Sequence, residues 1–366
     1  MRRFLRYLGA PIAAIAIAAT WGALPAGADT TRVVHSGQSI QAAVDASRPG
    51  DTIIVQQGTY AENVEIHKND LHLIGHGATV VPPAAPHAGS VCADPSDPTS
   101  WSGFCVIAPG SDFVNGIVAS YLKGTEIRGF TVKGFGGNGF IAFGAQDTEV
   151  TNNSFLENGE YGAAAFTSKQ TTFERNVSKH TGEGGEAGFY IGDSPTARAQ
   201  LDHNVASGYT FGIFERDAFG VHAEHNDLYG NCVGAISLAD APGPAGHLVL
   251  DDNNIHDNTK FCPPEPGDEP PISVSGVGVA SAGGTDNHVH ENRITGNVPS
   301  QPADISGGIV VITGGPGGTP PTHNHMTSNI VKNNGVDIFW DGTGSDNLFF
   351  DNHCTTSAVD PNLCKK

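Results

Sequence analysis

Basic residues are scarce in this sequence. The 366-residue chain contains 19 Lys and Arg against 38 Asp and Glu, and its formal net charge at pH 7 is −19. So few positive charges cannot neutralise a run of phosphates, which argues against a general nucleic-acid-binding protein. Long helices are also disfavoured, because the chain contains 48 Gly and 23 Pro. Since 38% of the residues are hydrophobic, a packed core can still form, and we expect a turn-rich all-β fold.

Several sequence motifs of common chemistries are absent. The chain has no Cys-x-x-Cys pair, which disfavours a cysteine-based zinc site. It has neither a phosphate-cradling glycine loop nor a serine nucleophile elbow. No single motif therefore specifies the function.

The N-terminus has the three regions of a secretory signal peptide. Three arginines within the first six residues precede an apolar stretch at 7–24, and small residues follow at 26–28. We expect cleavage after Ala28 and a secreted mature protein. A membrane anchor is the alternative, but the apolar stretch is short for a membrane span and no second one follows. We therefore expect no stable membrane insertion.

The six cysteines predict disulfides, because exported proteins fold in an oxidising environment. Their order along the chain suggests local pairing. The expected pairs are Cys92 with Cys105, Cys232 with Cys262, and Cys354 with Cys364.

A repeat of about 23 residues, lengthened in places by insertions, organises most of the chain. It is marked by a recurring Asn at positions Asn153, Asn176, Asn204, Asn226, Asn253, Asn292, Asn329 and Asn352. Asparagine suits a sharp bend because it tolerates left-handed dihedral angles, and stacked Asn amides can hydrogen-bond to one another. We therefore predict a bend at each of these positions.

Two mostly apolar columns keep register with the repeating Asn, three positions before it and two positions after it. A Gly-led alternating strand follows later in each unit, as at Gly188 and Gly212. Three short strands per unit are too close together for helical crossovers. They predict coils that stack into parallel sheets, with equivalent residues about 4.8 Å apart along the axis.

The residues ahead of the repeat carry a family resemblance. They read Ser-Ile-Gln-Ala-Ala-Val at 39–44, Pro-Gly-Asp-Thr-Ile at 49–53 and Gly-Thr-Tyr at 58–60, followed by Glu62. With the repeat, from about 33 to 354, they resemble the right-handed parallel β-helix superfamily of pectate lyases and NosD-like proteins. The resemblance implies a short amphipathic helix that caps the first coil and covers its strand edges.

The resemblance implies a fold but no single activity, because the same coil serves lyases, hydrolases, epimerases and non-catalytic proteins. The Arg-rich pectate lyase signature, the Asp-Pro-His-Asp of alginate epimerases and the pectin methylesterase signatures are absent.

We expect one β-helix domain after the signal peptide at 1–28. Within the domain at 29–366, we expect the cap and first coil at 29–75, regular coils at 125–354 and a tail at 355–366.

Insertions on both sides of the Gly-led strand predict a loop-walled groove. In the lyases that this chain resembles, the substrate groove lies on that sheet. Alternation points a mostly apolar strip outward on it: Ile141, Ala164, Tyr190, Phe214, Ile236 and Val310. Tyr190 and Phe214 either bind substrate by stacking on sugar rings, or are covered by the loops or by another subunit. Cover by a subunit would make the protein a homo-oligomer.

Acidic side chains lie at the ends of the same strands. Asp193 and Asp217 occupy equivalent positions in neighbouring coils, so their carboxylates are expected about one strand spacing apart. Paired acids share a proton, bind a hard cation, or divide acid and base roles. Alternation places Glu215 inside the coil, where an acid needs a partner or a raised pKa. Solvated turn residues with a register slip are the alternative.

A second acidic column lies two positions before the repeating Asn. It contains Glu174, Asp202, Glu224 and Asp251, followed by His290. Like charges on adjacent strands repel, so the column suggests bound cations, either calcium or a softer metal where His joins. A solvated outer face is the alternative.

The leading hypothesis is a secreted β-helix protein that binds a polysaccharide in the groove and could cleave it there. For β-elimination, Ca²⁺ held by Asp193 and Asp217 would neutralise the substrate, and Lys169 or Arg216 would take the ring proton. For hydrolysis, two of the acids Asp193, Glu215 and Asp217 would act as acid and base. The alternative is a non-catalytic NosD-like binding or scaffold protein.

Overall fold

The computed structural model describes residues 29–85, 90, 100–113, 115–182, 184–240, 244–264, 271–315 and 318–364. This part of the chain is a right-handed parallel β-helix, which confirms the predicted fold class. Each regular coil passes in turn through three sheets, which we name A, B and C. The predicted signal peptide at 1–28 lies outside the described residues.

Each sheet collects one short strand from every regular coil. In chain order, sheet A contains Thr31–Val34, Thr52–Val55, His72–Gly75, Leu122–Lys123, Glu126–Arg128, Ala145–Thr151, Lys169–Glu174, Gln200–Asp202, His222–Glu224, Val249–Asp251, His288–His290, His325–Thr327 and Leu348–Phe350. Sheet B contains Gly58–Ala61, Ala78–Val81, Thr131–Lys133, Ser154–Leu156, Val177–Lys179, Val205–Ser207, Asp227–Tyr229, Asn254–His256, Arg293–Thr295 and Ile330–Lys332. Sheet C contains Val64–Ile66, Phe104–Ile107, Phe140–Phe143, Tyr161–Phe166, Ala187–Gly192, Phe211–Arg216, Val233–Leu238, Phe261–Cys262, Val274–Ala282, Ile305–Ile312, Ile338–Trp340 and Ser357–Ala358.

The repeating asparagines are stacked inside the bend between sheets A and B. The Nδ2 of Asn204 donates hydrogen bonds to Oδ1 of Asn226 in the next coil (3.1 Å) and to the carbonyl of Phe173 in the preceding one (2.8 Å). Amide-to-amide bonds of 2.9–3.1 Å connect the whole series from Asn153 to Asn352. The predicted hydrogen bonding between stacked amides is confirmed.

The left-handed residue of each bend is not the asparagine but the residue before it. His203 and His225, for example, both have φ of 54°. This corrects the prediction that Asn itself adopts the left-handed conformation. The Asn side chain is instead needed inside the bend, where it bonds backbone groups that would otherwise be buried without partners.

The core fills the inside of the coil. Side chains three positions before and two positions after the repeating Asn are buried, as Leu201 and Leu228 illustrate, and the two columns become partly exposed at Phe349 and Cys354 in the last coil. Stacking equivalent residues places apolar groups in contact along the whole axis, so each coil covers the next.

A helix at Ile40–Ala46 stands at the N-terminal end of the coil, as predicted. Ser39 is its N-cap and accepts a hydrogen bond from the amide of Ala42. The carboxylate of Glu62 accepts further bonds from the amides of Ile40 and Gln41. Ile40 and Val44 are buried, so the apolar face of the helix extends the core.

Two of the predicted disulfides are present. Cys232 pairs with Cys262, and Cys354 pairs with Cys364. The third predicted pair includes Cys92, which lies outside the described residues. In the part of the chain that the structure describes, no helix is long and apolar enough to cross a membrane.

Replacing one central asparagine should weaken the fold strongly. Oδ1 of Asn226 accepts bonds from the backbone and side-chain amides of Asn204, and its Nδ2 donates to the carbonyl of Leu201 and to Asn253. Because Asn226→Ala leaves buried groups without partners, we expect it to lower the free energy of unfolding by about 2–4 kcal/mol. The exposed Asn254 gives a matched control.

The measurement is chemical denaturation, compared at the transition midpoint. We expect Asn254→Ala to change the free energy of unfolding by about 0.5 kcal/mol or less. Equal losses of unfolding free energy in the two variants would show that the buried series of stacked asparagines has no special role in stability.

Candidate functional site

The site is built at the corner where the strands of sheet C end and the chain turns towards sheet A. In the parallel register, Gly192 pairs with Arg216 and Arg216 with Leu238. Asp193 and Asp217 directly follow two of these residues and so occupy equivalent positions in consecutive coils. Both have left-handed backbone angles, with φ of 52° and 48°. Asp tolerates this conformation better than most residues.

Hydrogen bonds connect the residues of this corner. The amide of Asp193 donates to the carbonyl of Arg216 (3.1 Å), and Oδ1 of Asp217 accepts from the amide of Asp240 (2.9 Å). Nη2 of Arg216 donates to Oδ2 of Asp240 at 2.8 Å. The structure therefore brings Asp193, Arg216 and Asp217 together, as expected, and adds an ion pair that the sequence does not specify. We name Asp193, Arg216, Asp217 and Asp240 the acidic corner.

Two carboxyl groups of the acidic corner hold their protons more tightly than usual. Partial desolvation by the surrounding protein raises the pKa of Asp193, and the charge of Arg216 offsets part of this effect. Desolvation also raises the pKa of Asp217, while the amide of Asp240 and the charge of Arg216 oppose the rise. Neighbouring carboxyl groups with raised pKa values are suited to proton transfer.

Lys169 is not part of the acidic corner. Phe166 pairs with Gly192, so the residue equivalent to Asp193 in the preceding coil is Thr167. Lys169 comes two residues later, at the start of a sheet A strand, and its Nζ lies 4.2 Å from the centre of the Tyr121 ring. The insertion of residues between strands cannot be located from the sequence closely enough to predict this separation.

The outward strip of sheet C has the predicted register but is buried. Ala164, Tyr190, Phe214 and Ile236 are consecutive cross-strand partners. Only 1% of Tyr190 and 3% of Phe214 is exposed. Their rings also contact each other, with centroids 5.2 Å apart. Neither ring presents an open face for a sugar in this structure.

The phenol of Tyr190 lies over the backbone of Gly192. A Cβ atom at residue 192 would be 2.0 Å from Oη of Tyr190, so only glycine leaves room for the ring. This arrangement directs the hydroxyl towards the end of the strand, where Asp193 begins the turn. Burial, followed by the charge of Asp193, raises the pKa of Tyr190, which keeps the phenol protonated. In the sequence, the feature that could have predicted this contact is a glycine two residues after the tyrosine, on the same face of the strand.

Glu215 lies inside the coil, separate from the acidic corner. It is a cross-strand partner of Ile191 and Ser237, and none of its surface is exposed. Neither carboxylate oxygen has a hydrogen bond of normal geometry. Burial raises its pKa well above the ordinary value, and the neighbouring hydroxyl of Ser237 offsets only part of that rise. Alternation along the strand thus points Glu215 inward and Arg216 outward.

Glu215 should make stability depend on pH. Because its folded-state pKa lies above the ordinary value of 4.5, the folded protein retains a proton that the unfolded chain loses. The contribution of Glu215 to stability is fully present below about pH 4.5 and is lost as the pH rises through the folded-state pKa. Glu215→Gln cannot ionise, so we expect this variant to be more stable than the wild type at about pH 8, with the advantage lost near pH 4.5.

Denaturation midpoints of the two proteins at both pH values test this expectation. Glu149→Gln, which changes an exposed acid, is the control and should show no such crossover. A Glu215→Gln variant that is less stable by the same amount at both pH values would contradict the expectation.

Comparisons with known proteins agree with the architecture. The family model described as the right handed beta helix region matches residues 51–208 and 183–329. The periplasmic alginate epimerase AlgG has a similar structure, with a TM-score of 0.56 and 12% sequence identity over 88% of this chain and 84% of that chain. No curated protein matches the sequence.

Two further solved structures are similar in fold. The A-module of the Azotobacter vinelandii mannuronan C-5 epimerase AlgE6 gives a TM-score of 0.54 at 15% identity, over 87% of this chain and 89% of that chain. An alginate lyase from Paenibacillus sp. str. FPU-7 gives 0.50 at 12% identity, over 89% of this chain and 99% of that chain. At such low identities these similarities show the fold alone.

Proposed function

The chain belongs to the right-handed β-helix family, and we propose that it is an exported protein that binds a polysaccharide beside sheet C and cleaves it at the acidic corner. The observation that carries the proposal is the pair Asp193 and Asp217, two carboxyl groups in consecutive coils whose pKa values are both raised. Arg216 lies between them in the chain and is held by Asp240. These are groups that can exchange protons with a bound sugar.

Hydrolysis is the reaction that these residues support best. One carboxyl group would protonate the oxygen of the leaving sugar, and the other would act as base or nucleophile. Partial desolvation raises the pKa of each group, which suits one of them to the role of proton donor. The buried phenol of Tyr190, directed towards the same turn, is a further hydrogen-bond donor next to Asp193.

Elimination from a uronate requires a base and a positive charge beside the substrate carboxylate. The candidate base Lys169 begins a strand of sheet A and contacts the ring of Tyr121. Arg216 is already paired with Asp240. Ca²⁺ held by Asp193 and Asp217 would supply the charge, because carboxylate oxygens are ligands that calcium prefers. Elimination thus needs a base from outside the acidic corner, whereas hydrolysis uses the carboxyl groups of the corner itself.

Two observations support an exported carbohydrate-binding protein. Structurally similar proteins include alginate epimerases and an alginate lyase, which makes alginate the first polysaccharide to test. The disulfides Cys232–Cys262 and Cys354–Cys364 are typical of oxidising compartments, in agreement with the signal-like sequence at 1–28.

Removing either carboxyl group should abolish turnover without unfolding the protein. We expect Asp193→Asn and Asp217→Asn to lower the rate of polysaccharide cleavage by about 100-fold or more, because each removes an acid or base. Asn is the suitable replacement since it tolerates the left-handed backbone of both positions. Asp351→Asn is the matched control, because Asp351 is left-handed like both residues (φ 55°) and exposed like Asp193, but lies at the A–B bend.

The assay incubates the mature protein with alginate, pectate and a neutral glucan, with calcium or with chelator, and records new reducing ends and unsaturated-uronate absorbance. Reducing ends without absorbance, insensitive to chelator, are the expected result. Absorbance that disappears with chelator would indicate that the reaction is metal-assisted elimination and not hydrolysis. Full activity in both Asp variants would remove the acidic corner from consideration.

A non-catalytic binding protein is the second candidate. It is favoured by the burial of Tyr190 and Phe214, which leaves neither ring open to a sugar, and by the contact of Lys169 with the Tyr121 ring instead of the acidic corner. Retention of a polysaccharide in affinity electrophoresis, with no product from any substrate, would identify this function.

A further inference from the structure

The outer face of sheet A carries a column of acidic residues in consecutive coils. Cross-strand pairing connects Glu174 with Asp202, Asp202 with Glu224, and Glu224 with Asp251. The next partner of Asp251 is His290. Carboxylates directly opposite one another on adjacent strands repel, so positive charge beside the column stabilises it, as Arg175 does next to Glu174.

Histidines supply nearby ligands, and two of them are arranged in an unusual way. His203 and His225 precede the repeating Asn in consecutive coils, so the bend places their rings in parallel, with centroids 4.7 Å apart and planes inclined by 26°. Nδ1 of His203 lies 2.6 Å from Oδ1 of Asp202, and Nδ1 of His225 lies 3.2 Å from the same oxygen. Two ring nitrogens and one carboxylate oxygen thus converge on one point at the surface.

We propose that Asp202, His203 and His225 bind a divalent transition-metal ion of the Zn²⁺ class. Their ligand atoms all lie within 4.8 Å of one another, and two imidazoles with a carboxylate are a typical zinc donor set. Both histidine side chains are about half exposed, so an ion and its remaining water ligands can reach the site from solvent. Glu224 is the cross-strand neighbour of Asp202 in the column.

The ligand chemistry selects this class of ion. Calcium and magnesium prefer oxygen ligands throughout, whereas imidazole nitrogen favours zinc, nickel and copper. A bound ion would take the place of the hydrogen bonds between Asp202 and the two rings, and it would reduce the repulsion within the acidic column. Protons compete with metal ions for imidazole nitrogen, so binding should weaken in mildly acidic solution.

A similar arrangement occurs two coils further along. His290 lies 3.2 Å from Oδ1 of Asp251 through Nδ1 and 3.7 Å from Oε1 of Glu291 through Nε2. This set has one histidine rather than two and is therefore the weaker candidate. Both sets lie at the bend between sheets A and B, whereas the acidic corner lies between sheets C and A. The metal proposal therefore does not depend on the proposed function.

The test is equilibrium dialysis of the tag-free mature protein against Zn²⁺ at neutral pH, with bound metal counted per chain. In the double variant His203→Asn/His225→Asn, we expect the number of tightly bound ions to fall by one per chain. His323→Asn is the matched control, because His323 is also exposed, left-handed (φ 56°) and beside a single carboxylate, Asp346. We expect this control to bind as much zinc as the wild type.

Further measurements keep the proposal falsifiable if the double variant is unstable. The single variant Asp202→Asn keeps both rings and should weaken Zn²⁺ binding by about tenfold or more. Lowering the pH to about 5.5 should weaken Zn²⁺ binding, because protons compete with metal ions for imidazole nitrogen. Excess Ca²⁺ should not displace it.

Three results would overturn the proposal: no tight Zn²⁺ binding by the wild type, unchanged stoichiometry in a folded double variant, or an equal loss in His323→Asn. Polysaccharide cleavage plays no part in these measurements. A failure of zinc binding would therefore leave the proposed role of the acidic corner unaffected. A failure of polysaccharide cleavage would likewise leave the zinc proposal unaffected.

Discussion

The hydrogen bonds between stacked asparagine amides are the interaction on which the rest of the structure depends. Every coil must turn sharply between sheets A and B, and the turn buries backbone groups that have no strand partner. In the coils from Asn153 to Asn329, one amide of this series bonds the backbone of a neighbouring coil and the next amide in the series, as Asn204 and Asn226 show. An unpaired buried group would be costly, so the amide fixes the register of one coil upon the next.

Fixed register converts a sequence period into columns of side chains in space. Residues at one position of the repeat lie side by side, whatever the length of the insertions between them. This brings Asp193 beside Asp217 at one corner of the coil and His203 beside His225 at another. The same geometry that builds the core thus builds two different clusters of chemical groups, one acidic and one mixed.

Alternation along the strand then separates groups that are neighbours in the sequence. Glu215 lies inside the coil and Arg216 outside it, so two adjacent charged residues have unrelated roles. An interior acid costs free energy, which is reduced when it keeps its proton. The exterior groups are only partly desolvated, and there a raised pKa is compatible with proton exchange with a ligand. Position relative to the sheet, rather than residue type, decides which acid can act on a substrate.

The sequence alone determined the all-β coil, the apolar columns and the neighbouring positions of Asp193 and Asp217, because periodicity fixes both the position along the axis and the inward or outward direction. It also indicated that Glu215 is buried. The capping helix followed from the resemblance of residues 39–62 to the β-helix superfamily. Only the tertiary structure decided that Lys169 lies outside the acidic corner, that Arg216 pairs with Asp240, and that Tyr190 is covered. These outcomes depend on how turns and insertions pack against non-consecutive strands, and a repeat period carries no information about that packing.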